Sequence, residues 1–515
     1  MYSTVMSSAI VGVGCFPVKV EVDVSSGLPG FEMVGMPGGE VKEAKERVRV
    51  ALKNIGFTMP PKKITVNLSP ANVRKTGTGF DLPIAIGILQ SLENIPPNAA
   101  EGLLFMGELG LNAEIKSVNG VLPSAIMAGK QGLKACIVPR CNAKEGAVLQ
   151  DIDVIGFAGL EEVIGFLQSG EKERKAAYFP EKFNPEELLS KVALETEDDF
   201  ADVRGQEGVK RGAQIAAAGF HHFMMLGPPG AGKTMIAKRI PSILPPLSVG
   251  ESIEVSQIYS IGGLLSEKQS FILKRPFCNP HHTTTEQALT GAGRIPRPGV
   301  ISLAHRGVLF LDEAPHFSKD AIEALRQPME DKKIEVSRAY ATCTFPADFM
   351  LVIASNPCPC GYFPDRNKCR CTDQEIRRYM SRISGPIMDR IDLCVTASAL
   401  SLKDLNDESL KGESSADMRK RIEKAREMQK KRFAGTNLNF NSDICAKDIK
   451  KYCVLEEEAK KYMEIAFERL KLSARGYHKI LKVARTIADL EGGEKIGKKH
   501  LTEAIGYRIR AEYDL

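Results

Sequence analysis

An apolar run gives way to glycines, then to a lysine and a threonine, at Phe223-Met224-Met225-Leu226-Gly227-Pro228-Pro229-Gly230-Ala231-Gly232-Lys233-Thr234. Gly227, Gly232, Lys233 and Thr234 hold the fixed positions of G-x-x-x-x-G-K-[ST], the P-loop pattern. The layout serves one chemistry. With few Cβ atoms in the way, the turn Gly227-Pro228-Pro229-Gly230-Ala231-Gly232 can close its backbone around phosphate oxygens. A helix opening at Lys233 adds its positive end. Lys233 is placed for the β- and γ-phosphates of ATP, and Thr234 for Mg²⁺. A plain glycine turn of an α/β domain is the alternative. It leaves the completeness of the pattern, and the strand before it, unexplained.

A second stretch, Gly307-Val308-Leu309-Phe310-Leu311-Asp312-Glu313, reads as a buried strand ending in two carboxylates. This is the Walker B form: Asp312 holds Mg²⁺, directly or through water, and Glu313 polarises the attacking water. A third strand, from Phe349 to Ser355, ends in Asn356 just before Pro357. Two C-x-C pairs follow, Cys358/Cys360 and Cys369/Cys371. Four thiols so close in polar sequence suit a tetrahedral Cys₄ zinc site, structural because no coordination position stays open. Reduced free thiols or a redox switch are the alternatives. Arg366, Lys368 and Arg370 lie among these cysteines, so the same loop could touch nucleic acid.

The rest of the chain must position these groups. At 515 residues it is long enough for about three domains. Its 43% hydrophobic and 26% charged content is that of soluble globular protein. A net charge of +6 permits an anionic partner without demanding one. No apolar run approaches the roughly 20 residues of a membrane span, and the N-terminus lacks a basic signal region. Twelve cysteines without an export signal point to a reducing compartment, so a cytoplasmic protein is expected.

Residues 1–168 alternate strand and helix signals. Val18, Val20, Val22 and Val24 alternate with polar residues as in a half-buried strand. Val41, Ala44, Val48, Ala51 and Ile55 share one helical face, with Gly56 as the stop. Ile64, Val66 and Leu68 form another strand, and a helix starts near Leu82. The order predicts an α/β domain. Residues 169–200 are charged and carry Pro180 and Pro185, which predicts a linker with one helix from Glu186. An ATPase core is expected over 201–400 and a mostly helical region over 401–515. Within the core, residues 249–307 separate the P-loop helix from the Walker B strand, with positive charge at Lys274, Arg275, Arg294 and Arg297. That charge reads either as phosphate-backbone contact or as a solvated basic loop. His281-His282 invite a metal reading as well as a local hydrogen-bonding one.

Several motifs recur in a fixed order. They are Arg204-Gly205-Gln206, His221-His222, the P-loop, Asn279-Pro280-His281-His282-Thr283-Thr284-Thr285, Gly299-Val300-Ile301-Ser302-Leu303-Ala304-His305, Val308 to Glu313, and Ser384-Gly385-Pro386-Ile387-Met388-Asp389-Arg390-Ile391-Asp392. Together they resemble the ComM/YifB family of magnesium-chelatase-like AAA+ proteins, over essentially the whole chain. The resemblance implies a P-loop AAA+ ATPase core with a helical C-terminal lid, and an N-terminal domain like that of Lon proteases. It implies that residues 202–206 pack beside the adenine, that Asn356 is the sensor 1 residue helping to position water, and that Arg390 is an arginine finger acting across a subunit boundary. A surface network between Arg390 and Asp392 is the alternative for that arginine. Arg475 is the implied sensor 2, with Arg485 the other candidate. The resemblance also implies hairpins in the 249–307 insert facing the pore of a hexameric ring.

In the Lon-like part, Lys75-Thr76-Gly77-Thr78-Gly79-Phe80-Asp81-Leu82 stands where that family carries its nucleophile turn, and Gly79 falls at the serine position. The stretch from Gly107 to Val121 precedes the lysine position, which falls near Ser124. A Ser–Lys protease needs an activated hydroxyl in contact with a low-pKa amine. The expectation is therefore the fold without proteolysis. The leading functional reading is a ring-forming ATP-driven motor on single-stranded or branched DNA, a helicase or branch-migration enzyme in recombination and natural transformation. DNA as partner comes from the resemblance alone. The competing readings are a magnesium-chelatase motor subunit acting on a protein and an ATP-dependent protease.

Overall fold

The alternating valines of Gly14–Ser25 each turn inward and are fully or almost fully buried. They belong to a seven-stranded sheet in the order Gly30–Val34, Lys63–Ser69, Gly14–Ser25, Tyr2–Val11, Leu103–Phe105, Ala135–Pro139, Asp153–Phe157. Its central strands Tyr2–Val11, Gly14–Ser25 and Lys63–Ser69 are antiparallel; the last three run parallel. Leu103 and Phe105 face one apolar cluster and Leu104 and Met106 another, so both sheet faces are covered. The helix Gly39–Asn54 buries Val41, Ala44, Val48 and Ala51, and stops before Gly56, whose φ of +82° suits glycine. The computed structural model describes residues 1–192, 198–291, 293, 296–338, 341–399 and 412–508.

The second sheet is parallel, with strand order Phe277–Cys278, Val308–Leu311, Met350–Ser355, Phe223–Leu226, Leu393–Thr396. Its strands are continuous apolar runs because helices or loops cover both faces. Phe223, Met225, Phe310 and Val352 enter one cluster; Met224, Leu226, Leu309 and Ile353 enter the other. The register pairs Leu226 with Ser355 and Leu311 with Ile353. Three strands thus end side by side and deliver Gly227, Asp312 and Asn356 to one edge, the carboxyl edge where ligands of open α/β sheets bind.

The C-terminal helices Ser415–Arg432, Glu457–Arg469, Ala474–Leu490 and Lys498–Gly506 do not form a core of their own. Met418, Ile422, Leu481, Ile487 and Leu501 join the same cluster as Phe223 and Phe310. The boundary expected at 400/401 lies outside the described residues. The helix expected from Glu186 is found as Pro185–Val192, but a further short helix, Glu171–Ala177, precedes it. The extra helix is capped by the Glu173 carboxylate, which accepts from Gly170 N at 3.1 Å. The segment is also packed: Leu189 joins Leu247, Val255 and Ile272 of the core.

The insert contains no hairpin among its described residues; Arg294 and Ile295 lie outside them. Its regular parts are the helix Val249–Gly262, the strand Phe277–Cys278 and the short helices Glu286–Thr290 and Val300–Leu303. The antiparallel hairpin of this unit pairs Lys333–Arg338 with Ala341–Pro346, beyond the Walker B strand. Among the described residues no helix is long and apolar enough to cross a membrane.

Candidate nucleotide site

Gly232 caps the helix Lys233–Ile243 at φ +80°, and Gly230 sits at φ +77°. At neither glycine does a Cβ position have an atom within 4 Å, so the rim of the loop is open to a ligand. Gly227 is tight instead: a Cβ there would stand 2.5 Å from the Ala397 carbonyl oxygen. The loop is therefore clamped at its root and open at its tip, a cradle into which phosphate oxygens fit. Lys233 Nζ donates to the carbonyls of Gly227 at 2.7 Å and Pro228 at 2.9 Å, and to Asn356 Oδ1 at 3.1 Å. Burial lowers its pKa, against the pull of Asp312 and Glu313.

Thr234 Oγ1 donates to Asp312 Oδ2 at 2.8 Å, so the hydroxyl and the carboxylate expected to share Mg²⁺ already touch. Glu313 follows at φ +50°, with its N–H donating to Asp312 Oδ1 at 3.0 Å. That sharp turn separates the two carboxylates in direction: one stays with Thr234, the other is released from the strand. Gln206, within the stretch 202–206 that the resemblance sets beside the adenine, also ties the loop to the strand end near Ser398. Its amide donates to Ala231 O at 3.1 Å and Ser398 O at 2.6 Å.

The cysteine loop leaves the same strand end. Cys358 Sγ lies 3.3 Å from Cys360 Sγ and 3.7 Å from Cys369 Sγ, and all four sulfurs fall within 4.8 Å of one another. A tetrahedron with metal–sulfur bonds of about 2.3 Å has edges of about 3.8 Å. These separations fit a shared ion and are far longer than a disulfide. Gly361 packs against the P-loop, where an added Cβ would come within 2.5 Å of Pro229 Cδ.

Arg390 and Arg475 stand together at another place. Arg390 Nη2 pairs with Glu330 Oε1, and Arg475 Nη2 reaches the same oxygen at 3.3 Å. Among the described residues neither arginine hydrogen-bonds the P-loop, Asp312 or Glu313. The alternative pairing of Arg390 with Asp392 is corrected: Asp392 meets His221 Nδ1 at 3.3 Å and the His222 N–H at 3.3 Å. Burial of the His222 ring lowers its pKa to about 4. Arg485 is buried and donates to Asp489 and to the carbonyls of Gly493 and Glu494, a structural role.

The basic insert is corrected in part. Arg275 is buried, donating to the carbonyls of Pro245 and Arg306 and to Glu251, so it is not offered to a phosphate backbone. Lys274 and Arg297 are exposed. His281 bonds Thr283 Oγ1 at 2.9 Å, the local hydrogen-bonding reading.

In the N-terminal unit, Ser124 is buried and accepts from Ser8 Oγ at 2.9 Å while donating to Gly120 O at 2.6 Å. Cys15 Sγ is 3.4 Å from it. Burial lowers the pKa of Lys75, but its amine is held by the carbonyls of Gly35 and Pro70. Among the described residues no lysine hydrogen-bonds Ser124.

Three family models match the chain: "Magnesium chelatase, subunit ChlI" over residues 199–405, "Subunit ChlI of Mg-chelatase" over 20–142, and "Magnesium chelatase, subunit ChlI C-terminal" over 412–508. The competence protein ComM of Haemophilus influenzae is 42% identical over 506 residues, 98% of this chain and 97% of its own length. YifB of Escherichia coli is 41% identical over the same shares. A shorter likeness, 36% identity over 156 residues, or 29% of this chain and 33% of the relative, links it to the DNA repair protein RadA of Bacillus subtilis.

Proposed function

The chain belongs to the ComM/YifB family of magnesium-chelatase-like AAA+ ATPases, and from that premise we propose that it is a ring-forming ATP-driven motor that remodels branched DNA. The observation that carries the ring is the split of one catalytic set. Lys233, Thr234, Asp312, Glu313 and Asn356 gather at the P-loop, whereas Arg390 and Arg475 meet at Glu330. Two half-sites on one chain become whole sites when identical chains pack head to tail.

Within the site, the loop backbone and Lys233 bind the triphosphate and orient it, with Lys233 leaving its carbonyl partners for phosphate oxygens. Thr234 and Asp312 would hold Mg²⁺, which neutralises phosphate charge when bound. Asn356 fixes the place of the attacking water and Glu313 takes up its proton. Arg390, from the neighbouring chain, stabilises the charge that develops on the γ-phosphate. The four cysteines would hold one structural zinc.

The DNA substrate is supported by full-length similarity to a competence protein and partial similarity to a DNA repair protein. The test is strand displacement on forked and four-way DNA. The expected result is ATP-dependent displacement, lost in Lys233→Ala, with turnover raised by DNA. A second reading, a chelatase-type motor on a protein partner, has the family-model descriptions in its favour. It predicts turnover indifferent to DNA and no displacement, and that result would replace the DNA reading.

A further inference from the structure

Arg390 carries the charge that a neighbour's site needs, yet its side chain is only 8% exposed. One Nη is paired with Glu330, the other donates to the Pro386 carbonyl, and Nε is buried without a partner. The guanidinium has five N–H groups in one rigid plane. Here that fork is sheathed in its own chain. Arg475 reaches the same Glu330 oxygen, so a single carboxylate gathers two guanidiniums as a phosphate oxygen does.

We propose that Glu330 is a latch. It holds Arg390 and Arg475 in place of a neighbour's γ-phosphate, and Arg390 must leave it before acting across the subunit boundary. The proposal rests on the reading of Arg390 as a group acting in trans. Glu330 is suited to a reversible hold because it is 48% exposed. Water screens such a pair enough that a more highly charged triphosphate displaces it. A cleft of ≈ 370 Å³ adjoins the pair, lined by both arginines, Lys479 and Lys482 and by Asp389 and Asp392, and leaves the side chains space to move. Glu330 is thus a positioning residue: it touches the arginines and not the nucleotide.

The test uses the full chain and Glu330→Gln, which keeps the shape and removes the charge. At low protein and subsaturating ATP, turnover should rise up to about fivefold, the scale of one partly exposed ion pair. The gain should appear as a lower KM and a lower protein concentration for half-maximal rate, with kcat little changed. Glu330→Ala should show the same direction, and Glu330→Asp should return toward the parent. In an Arg390→Ala background the gain should vanish. If Glu330→Gln and Glu330→Ala are no faster than the parent, or the gain survives without Arg390, the latch is wrong. If Arg390→Ala alone turns over ATP normally, the trans reading itself falls and takes the latch with it.

Discussion

Glu313 adopts a left-handed backbone that a glutamate does not choose freely, and the bond from its N–H to Asp312 helps to hold it there. On the proposed reading this geometry divides labour between neighbouring carboxylates, and the division can be measured. Glu313→Gln should leave ATP affinity nearly intact, because Thr234 and Asp312 still meet, while turnover drops on the order of 10²-fold or more. Equilibrium nucleotide binding beside steady-state hydrolysis checks it; equal loss of both would contradict the assignment. Lys233, Thr234 and Asp312 could be singled out in the sequence because a phosphate and Mg²⁺ site needs fixed residue types at fixed spacing, whereas Asn356 before Pro357 reads alone as an ordinary turn and took its expected role from the family resemblance. Glu330 could not be singled out, since a glutamate in a charged helix has no pattern and gains meaning only from the two arginines that reach it. Arg275 was misread for the converse reason. Sequence shows a charge but not the backbone carbonyls that will surround it.

Elements were readable where one face is apolar at a fixed period, as in Gly14–Ser25 or Gly39–Asn54. The helical character of the C-terminal region was readable too, but not its packing partner: the helices from 415 onward complete the core of the second sheet. The cysteine loop is the element whose position adds most. It starts two residues after Asn356 and lays Gly361 on Pro229, so a metal that stiffens the loop also supports the P-loop from outside. The protein purified under reducing conditions should carry about one zinc per chain. Removing it with a chelator, or substituting Cys358→Ser together with Cys371→Ser, should weaken ATP binding on the order of tenfold, or ~1.4 kcal/mol. Metal analysis and nucleotide titration read the two effects separately. Unchanged metal content in the double variant would rule out the four-sulfur site, and unchanged affinity after metal loss would rule out the support.

At the scale of the whole molecule, the separation of Lys233 from Arg390 makes an assembly argument. Were both needed in one chain's own site, each chain would be competent alone and mixing two dead variants would restore nothing. If Arg390 serves the neighbour, Lys233→Ala chains still offer an intact arginine and Arg390→Ala chains still offer an intact P-loop. Each variant alone should be nearly inactive, because trans arginines of this kind are worth roughly 10³–10⁵ in rate. Mixed in equal amounts, about a quarter of the interfaces in a head-to-tail ring pair an intact loop with an intact arginine. Hydrolysis should recover toward about that fraction of the parent rate if interfaces fire independently. Nucleotide should also raise the oligomeric mass of the parent, since the triphosphate bridges the two chains. The mass measurement guards the interpretation: if native mass spectrometry shows mixed rings and hydrolysis still stays at background, Arg390 does not act across the interface.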